Sequence, residues 1–266
     1  MYKRILSEIW IYPVKSLGGI RLKSAQVLEK GLQYDRRWML IDDAGVFMTQ
    51  RVYPKMALFK VALEVTAKQL MITFHQDQLA IPFHQTTSIT LISKIWDDVV
   101  EVREVSETCS SWFSERLGLK CKLVSFPEEN LRPVDPLYKV NDEQVGLADG
   151  YPFLIIGEQS LADLNARLQR PVPMNRFRPN LVFNGGVPYE EDTWKHFTIG
   201  RNRFVGVKTC GRCILTTVNQ DTGEKGIEPL YTLAQYRKQN NKICFGQNVV
   251  ATDHLEIMEG DEITVQ

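Results

Sequence analysis

Short runs of hydrophobic residues, each closed by a turn-forming residue, recur through the first hundred positions of the chain. Runs of this length with Gly, Pro or Asp between them are typical of β-strands. They predict strands over residues 9–12, 22–28, 37–41, 46–49, 59–65, 69–74 and 99–105. Many short strands with few helices favour a barrel or a sandwich. The first half of the chain is therefore predicted to form a β-rich module.

Helical periodicity appears in three segments. They are residues 109–118 with Gly118 as the stop, a segment beginning at Ser160 and stopped by Pro171, and residues 230–238 after Pro229. Asp163 follows Ser160 by three residues, and Leu161, Leu164 and Leu168 form an apolar stripe, so a start resembling a capping box is predicted.

Strand-like segments return in the second half of the chain. Residues 204–208 and 214–218 flank a pair of cysteines, residues 175–186 are predicted as a loop entering a strand, and the last ten residues resemble a hairpin-like pair around Gly260. The β-rich half and one helix are complete near Phe126. We therefore predict two domains, residues 1–126 and residues 127–266.

Composition narrows the class of protein. The chain has 266 residues, 44% of them hydrophobic, with 32 basic and 32 acidic residues, so no overall field attracts nucleic acid or anionic lipid. Five cysteines without framework spacing indicate reduced thiols in a cytosol-like compartment. The first residues show no signal-peptide pattern, and no apolar stretch approaches the roughly 20 residues of a membrane helix. We expect a cytoplasmic protein that binds neither nucleic acid nor membrane.

The segment 209–215 combines two thiols, a cation and a flexible backbone. Cys210 and Cys213 are three residues apart, and Arg212 between them favours a thiolate, the form that binds metal or attacks. A structural zinc site would need a second ligand pair, which the scattered cysteines and histidines do not supply. A thioredoxin-type pair would open a helix rather than lie between strands. The alternative that Cys210 and Cys213 are simply small buried residues in a strand turn stays open.

Basic residues concentrate at the ends of predicted strands, and they are Lys15, Arg36, Arg51, Arg176 and Arg178, with Ser16 beside the first. Guanidinium groups bind phosphate bidentately, and hydroxyl or backbone donors fill the remaining acceptors. Together they are suited to a phosphorylated cofactor, with solvated surface charge as the alternative. The four histidines form no spaced constellation, so a hydrolase triad has no support.

Five ordered segments resemble one known family. They are residues 12–16 (YPVKS), 34–38 (YDRRW), 49–51 (TQR), 176–180 (RFRPN) and 210–218 (CGRCILTTV). In this order they resemble the MOSC family, and within it the YcbX-like and mitochondrial amidoxime-reducing branch. The resemblance covers nearly the whole chain, up to residues 245–248.

The resemblance implies an α+β, β-rich fold, with an N-terminal β-barrel module followed by a MOSC β-barrel domain with a few helices. It also implies a molybdenum pyranopterin cofactor, with Cys210 as the metal ligand and catalytic residue. The remaining cofactor-binding residues implied are Lys15, Ser16, Arg36, Arg51, Arg176, Arg178, Asn180, Thr209 and Arg212. Thr209 and Arg212 would orient the cysteine, and Cys213 would be structural. Pyridoxal phosphate is not expected.

Members of this branch reduce N-hydroxylated compounds, such as amidoximes and N-hydroxylated base analogues, so a small molecule of this class is the expected substrate. YcbX-like members commonly continue into a domain with an iron–sulfur cluster, whereas this sequence has no matching cysteine pattern. Electrons are therefore expected from a separate ferredoxin- or flavoprotein-type donor. Two alternatives stay open: a carrier of sulfur or cofactor with a persulfide on Cys210, and a plain β-barrel binding module.

Overall fold

A computed structural model describes residues 3–266 of the chain. Within these residues the nineteen strands are β1 Arg4–Ile11, β2 Ile20–Leu22, β3 Ser24–Leu28, β4 Gly31–Leu32, β5 Trp38–Ile41, β6 Lys60–Glu64, β7 Gln69–Phe74, β8 Asp77–Pro82, β9 Thr90–Ile95, β10 Asp98–Glu104, β11 Lys122–Ser125, β12 Phe153–Gly157, β13 Leu181–Asn184, β14 His196–Ile199, β15 Asn202–Arg212, β16 Lys238–Gln239, β17 Lys242–Ala251, β18 Glu256–Met258 and β19 Glu262–Val265. The three α-helices are α1 Glu107–Leu117, α2 Glu158–Arg167 and α3 Leu230–Tyr236. The predicted β-rich α+β class is confirmed.

Seven strands close a barrel in the order β12-β13-β1-β19-β14-β15-β17, and β17 pairs with β12 to complete the ring. Neighbouring strands are antiparallel, except for the parallel pair β12 and β13. The barrel encloses large buried side chains such as Phe153, Phe183 and Phe204. Closure leaves no free edge among the seven strands. The first strand of the chain thus belongs to a barrel built mostly from the last 120 residues.

A second group of strands lies between β2 and α2 in sequence. The sheet β5-β11-β10-β9 and the sheet β6-β7-β8 share a core with α1. Phe59 is its centre, with ring centroids 4.4 Å from Phe74 and 5.3 Å from Phe113. A small sheet, β18-β3-β4, joins the end of the chain to this N-terminal region. Burial of these aromatic side chains stabilises the module by the hydrophobic effect.

The helix predictions hold for α1 and α3 and fail at one end of α2. Gly118 ends α1 in the left-handed conformation, with φ of 75°, as its sequence position predicted. Helix α2 begins after Gly157, so Ser160 lies inside its first turn and the predicted capping box is wrong. The Ser160 hydroxyl instead donates to the buried carboxylate of Glu191. A serine engaged in this way cannot serve as the helix cap.

Several strand predictions need correction. Residues 46–49 form only isolated bridges at Val46 and Phe47. Residues 214–217 form a 3₁₀ turn, because the hydroxyls of Thr216 and Thr217 donate to carbonyls three residues earlier and compete with strand pairing. The predicted pair around Gly260 is also wrong, since β18 pairs with β3 whereas β19 pairs with β1 and β14.

Two expectations concern membranes and targeting. None of the helices formed by residues 3–266 has the length and apolar character that crossing a bilayer requires. Met1 and Tyr2, the start of the segment considered for a signal peptide, lie outside the described residues.

Candidate functional site

Cys210 lies near the end of β15 at an irregularity of the barrel. The pairing of β15 with β17 shifts there, so that Phe245 and Gly246 together face the single residue Cys210. Gly246 has a φ of +80°, which a glycine adopts without strain and which is typical of the extra residue in a β-bulge. A Cβ at this position would also lie 2.7 Å from Ile156 Cγ1. The bulge therefore interrupts the regular hydrogen-bond ladder between β15 and β17 opposite Cys210.

A guanidinium group contacts the Cys210 thiol. Nη1 of Arg212 lies 2.9 Å from Cys210 Sγ, while Nη2 donates to the carbonyl of Phe177 at 2.6 Å. The second bond fixes the guanidinium in place. The half-buried sulfur of Cys210 therefore lies beside a fixed positive charge. The arrangement suits a nucleophile or a soft metal ligand.

The neighbours of Cys210 in sequence have other contacts. Thr209 Oγ1 donates to the sulfur of buried Cys244 at 3.6 Å. Cys213 precedes the 3₁₀ turn, and Nη1 of Arg51 lies 3.8 Å from its sulfur. Because Cys210 is in a strand and Cys213 precedes a 3₁₀ turn, the pair lacks the helix start of a thioredoxin-type site.

An open cleft with a volume of about 570 Å³ extends in front of Cys210. Its walls include every residue predicted for the site except Arg176, namely Lys15, Ser16, Arg36, Arg51, Arg178, Asn180, Thr209, Cys210 and Arg212. Lys208 and Lys242 bring the number of lining cations to seven, against one lining carboxylate, that of Asp149. The cleft is therefore electropositive, although the whole chain is neutral.

Two arginines enclose the ring of Tyr12. The guanidinium carbon of Arg36 lies 4.4 Å from the ring centroid and that of Arg178 lies 4.1 Å from it. Both arginines have positive φ values, 49° and 55°. Burial raises the pKa of Tyr12 to about 12 and lowers the pKa of Arg178 to about 10. Among residues 3–266 the Tyr12 hydroxyl finds no hydrogen-bond partner. Strained backbone and an unpaired buried hydroxyl are features of a binding site.

Hydrogen bonds to neighbouring protein groups hold the guanidinium groups of Arg36 and Arg178 in place. Nη1 of Arg36 donates to both carboxylate oxygens of Asp35, at 2.8 and 2.6 Å. Nη1 of Arg178 donates to the Leu17 carbonyl at 2.7 Å. Nη2 of Arg36 also donates to the Arg178 carbonyl at 3.2 Å, and together these contacts hold both guanidinium planes against the ring of Tyr12.

Lys15 and Asp149 form an ion pair across the cleft. Lys15 Nζ lies 2.6 Å from Asp149 Oδ1 and 2.8 Å from the Leu147 carbonyl oxygen. Burial lowers the pKa of Lys15 to about 8, although Asp149 opposes the shift. The positive charges of Lys15 and Arg51 lower the pKa of the Asp149 carboxyl, whose side chain is 61% exposed. Adjacent to Lys15, Ser16 is buried with a φ of 67°.

Two predicted residues have mainly structural contacts. The Asn180 side chain accepts from the Leu154 amide and donates to the Trp10 carbonyl, so it ties β12 to β1 at the cleft floor. Arg176 lies behind the cleft wall and donates to the Thr216 carbonyl at 3.3 Å.

Sequence reasoning did not select Asp149, Tyr151 or Lys208, which also line the cleft. Lys208 lies two residues before Cys210, and side chains two apart in a strand point to the same face. This alternation predicts that Lys208 faces the cleft together with Cys210. Asp149 and Tyr151 follow an irregular segment, where no periodicity shows which side chains face the cleft.

The residues present fit an anionic, sulfur-rich cofactor. Cys210 supplies one soft donor, the cations suit a phosphate group, and Nε of Arg212 is buried without a partner. Within residues 3–266 no three His, Cys, Asp or Glu side chains converge on one point.

Two protein families match consecutive parts of the chain. The MOSC N-terminal beta barrel domain matches residues 3–120, and the MOSC domain matches residues 142–264. The chain is 35% identical over 243 residues to mitochondrial amidoxime-reducing component 1 of Mus musculus, covering 87% of this chain and 71% of that protein. Identity to the Homo sapiens protein of that name is 34% over 277 residues, covering 97% and 82%.

A third relative is the molybdenum cofactor sulfurase of Oryza sativa subsp. japonica. The chain is 32% identical to it over 280 residues, which cover 98% of this chain and 34% of that protein. The chain therefore spans about a third of the length of this relative.

Proposed function

Because this chain belongs to the MOSC family, we propose that it is a molybdenum cofactor-dependent oxidoreductase that reduces N-hydroxylated compounds. The observation that carries the proposal is the Cys210 thiol, 2.9 Å from Arg212 Nη1, at a cleft lined by seven cations and one carboxylate. The similarity to the amidoxime-reducing components directs the substrate class towards amidoximes and N-hydroxylated base analogues.

We assign the residues of the site as follows. Cys210 would be the metal ligand and catalytic residue, and Thr209 and Arg212 would orient it. Lys15, Ser16, Arg36, Arg51 and Arg178 would hold the anionic cofactor, Asn180 would shape the floor, and Arg176 would act through the Thr216 carbonyl. When bound, the molybdenum cofactor supplies two-electron reduction with transfer of the hydroxyl oxygen.

The protein's own groups prepare the cleft for this chemistry. Lys15 holds its proton on Nζ at neutral pH, because its pKa of about 8 lies above 7. The stacked arginines present preorganised charge, which binds an anion without further ordering of side chains. The bulge opposite Cys210 leaves the sulfur accessible from the cleft.

The proposal includes two domains, residues 1–126 and residues 127–266, with β1 of the first domain completing the barrel of the second. It also includes a separate electron donor of the ferredoxin or flavoprotein type.

A sulfur carrier is the second candidate, because the chain is also similar to a molybdenum cofactor sulfurase. In that case Cys210 would hold a persulfide, which Arg212 would keep in its anionic form.

The experiment is elemental and pterin analysis of protein made in a host that synthesises molybdenum cofactor, followed by reduction of benzamidoxime with a chemical electron donor. We expect about one molybdenum per chain in the wild-type protein, since a dedicated soft ligand binds the metal tightly. Cys210→Ser should lose molybdenum and activity, whereas the matched control Cys213→Ser should retain both. Full activity in Cys210→Ser refutes the ligand assignment. A persulfide on Cys210 in folded protein without molybdenum establishes the sulfur carrier instead.

A further inference from the structure

The turn between β9 and β10 contains an unusual residue. Ile95 pairs with Asp98, so the turn has only two central residues, Trp96 and Asp97. Trp96 has a φ of 56°, in the left-handed region where such turns normally place glycine or asparagine. For a bulky side chain this backbone conformation is an outlier. Trp96 is also 47% exposed, so burial in a core does not explain it.

The indole of Trp96 lies against two charged residues of the cleft. The guanidinium carbon of Arg51 is 4.1 Å from its ring centroid and 5.6 Å from that of Phe47, so Arg51 is stacked on both rings. Nη1 of Arg51 in turn lies 3.9 Å from the Asp149 carboxylate. The side chain at the tip of the hairpin thus contacts the cation directly and is linked to the carboxylate through it.

A second link joins the same hairpin to the segment before Asp149. Arg132 is 2% exposed, and its Nη2 lies 2.7 Å from the carboxylate of Asp98, the residue that follows the turn. Arg132 also donates to the carbonyls of Gly146 at 2.8 Å, Ala148 at 2.6 Å and Asp149 at 3.2 Å. A buried guanidinium with this many partners holds its neighbours in one geometry.

We propose that the tip of the β9–β10 hairpin, residues 95–98, is part of the functional site. Trp96 is a positioning residue that holds Arg51, and through Arg51 the Asp149 carboxylate, at the cleft, and Arg132 fixes the tip to the segment 146–149. The contacts are independent of any function, whereas their consequence for the cofactor rests on the function proposed above. Strain at Trp96 is retained because the surrounding contacts over-determine its position, as is common at functional sites.

The β7–β8 turn offers a matched control for the proposed role of Trp96. His75 occupies the equivalent place in the β7–β8 turn, since Phe74 pairs with Asp77, and its φ is 54°. Its ring packs on its neighbour Phe74, 4.4 Å between centroids, and it does not line the cleft. Asparagine tolerates this backbone conformation, so Trp96→Asn and His75→Asn relieve the same strain. Only the first removes a contact to the site.

The first measurement is hydrogen–deuterium exchange of the peptide covering residues 146–149 in protein without cofactor. We expect Trp96→Asn and Arg132→Lys to accelerate exchange there on the order of 5- to 10-fold. Trp96→Asn loses the cation–π contact that holds Arg51 beside Asp149, and Arg132→Lys loses hydrogen bonds to the carbonyls of the segment. His75→Asn should leave that peptide unchanged. The melting temperature of Trp96→Asn should equal or exceed that of the wild-type protein, because the turn strain is relieved.

The second measurement is molybdenum content after expression in a host that makes the cofactor. Trp96→Asn should retain less than half of the wild-type content, and His75→Asn should retain all of it. Wild-type exchange at 146–149 in Trp96→Asn overturns the positioning role, as does a fall in melting temperature without faster exchange. Absence of molybdenum from the wild-type protein refutes the proposed function but leaves the exchange result as an independent test.

Discussion

Glu191 is a buried carboxylate whose protonation should control stability near neutral pH. Its side chain is 0% exposed, and it accepts from the Gly157 amide at 3.1 Å and from the Ser160 hydroxyl at 2.8 and 2.9 Å. Burial raises its pKa from 4.5 to about 7, against the effect of these hydrogen bonds. Its neighbour Asp192 is paired with Arg237, so no cation is left for Glu191 there.

The sign of the effect follows from the raised pKa. Between pH 4.5 and about 7 the folded protein holds a proton on Glu191 that the unfolded chain has lost, so the free energy of unfolding falls as the pH rises. At 1.36 kcal/mol per pH unit, the full loss is about 3 kcal/mol. The contribution is complete below pH 4.5 and gone above pH 7.

Glu191→Gln removes the titration and keeps an oxygen that accepts from Gly157 and Ser160. Urea unfolding at pH 5, 6, 7 and 8 measures the free energy of unfolding of both proteins. Wild type should lose about 2.5 kcal/mol relative to the variant across this range, calculated from the two pKa values. Glu190→Gln, which removes an acid paired with Arg4, serves as control. Parallel pH profiles for wild type and Glu191→Gln refute the reasoning.

Three further outcomes test the site and the fold. Lys15→Met should reduce molybdenum content several-fold, because the cleft loses a buried cation that would hold the anionic cofactor; retained content by elemental analysis contradicts this. Gly206→Ala should destabilise the barrel by at least ~2 kcal/mol in urea, since its Cβ would lie 2.0 Å from the Trp194 carbonyl oxygen, whereas Gly150→Ala meets no atom within 4 Å and should be neutral. Ser106→Ala removes the N-cap of α1 and should cost ~1 kcal/mol in the same assay.

Local sequence signals predicted the elements whose stabilisation is local. Gly118 ends α1 because it adopts a left-handed conformation, and Pro229 precedes α3, as their positions indicated. The alternation of buried and partly buried residues in β7 likewise follows its sequence. The capping box predicted at Ser160 was wrong because its hydroxyl donates to Glu191, thirty-one residues away. Local sequence patterns do not reveal a contact at that distance.

The sequence likewise predicted only part of the candidate site. Nine of the ten predicted residues line one cleft, because cations at strand ends converge when the strands form closed or packed sheets. Arg176 does not line it, since its guanidinium turns to the Thr216 carbonyl. Asp149 and Trp96 could not be selected, because an irregular segment brings Asp149 to the cleft and a strained turn brings Trp96 against Arg51, by contacts distant in sequence. The experiments above test their roles and those of the predicted residues.

The place of β1 in the barrel has a consequence for synthesis of the protein. Arg4 pairs with Ile263, and Ile9 pairs with Leu181, so β1 must wait for the much later strand β19 before the ring can close. The sheets between β2 and α2 depend on nearer contacts and can form earlier. During translation, an unpaired β1 with Leu6, Ile9 and Ile11 exposed is open to wrong partners. Chaperone dependence during folding should therefore trace to β1, Arg4–Ile11.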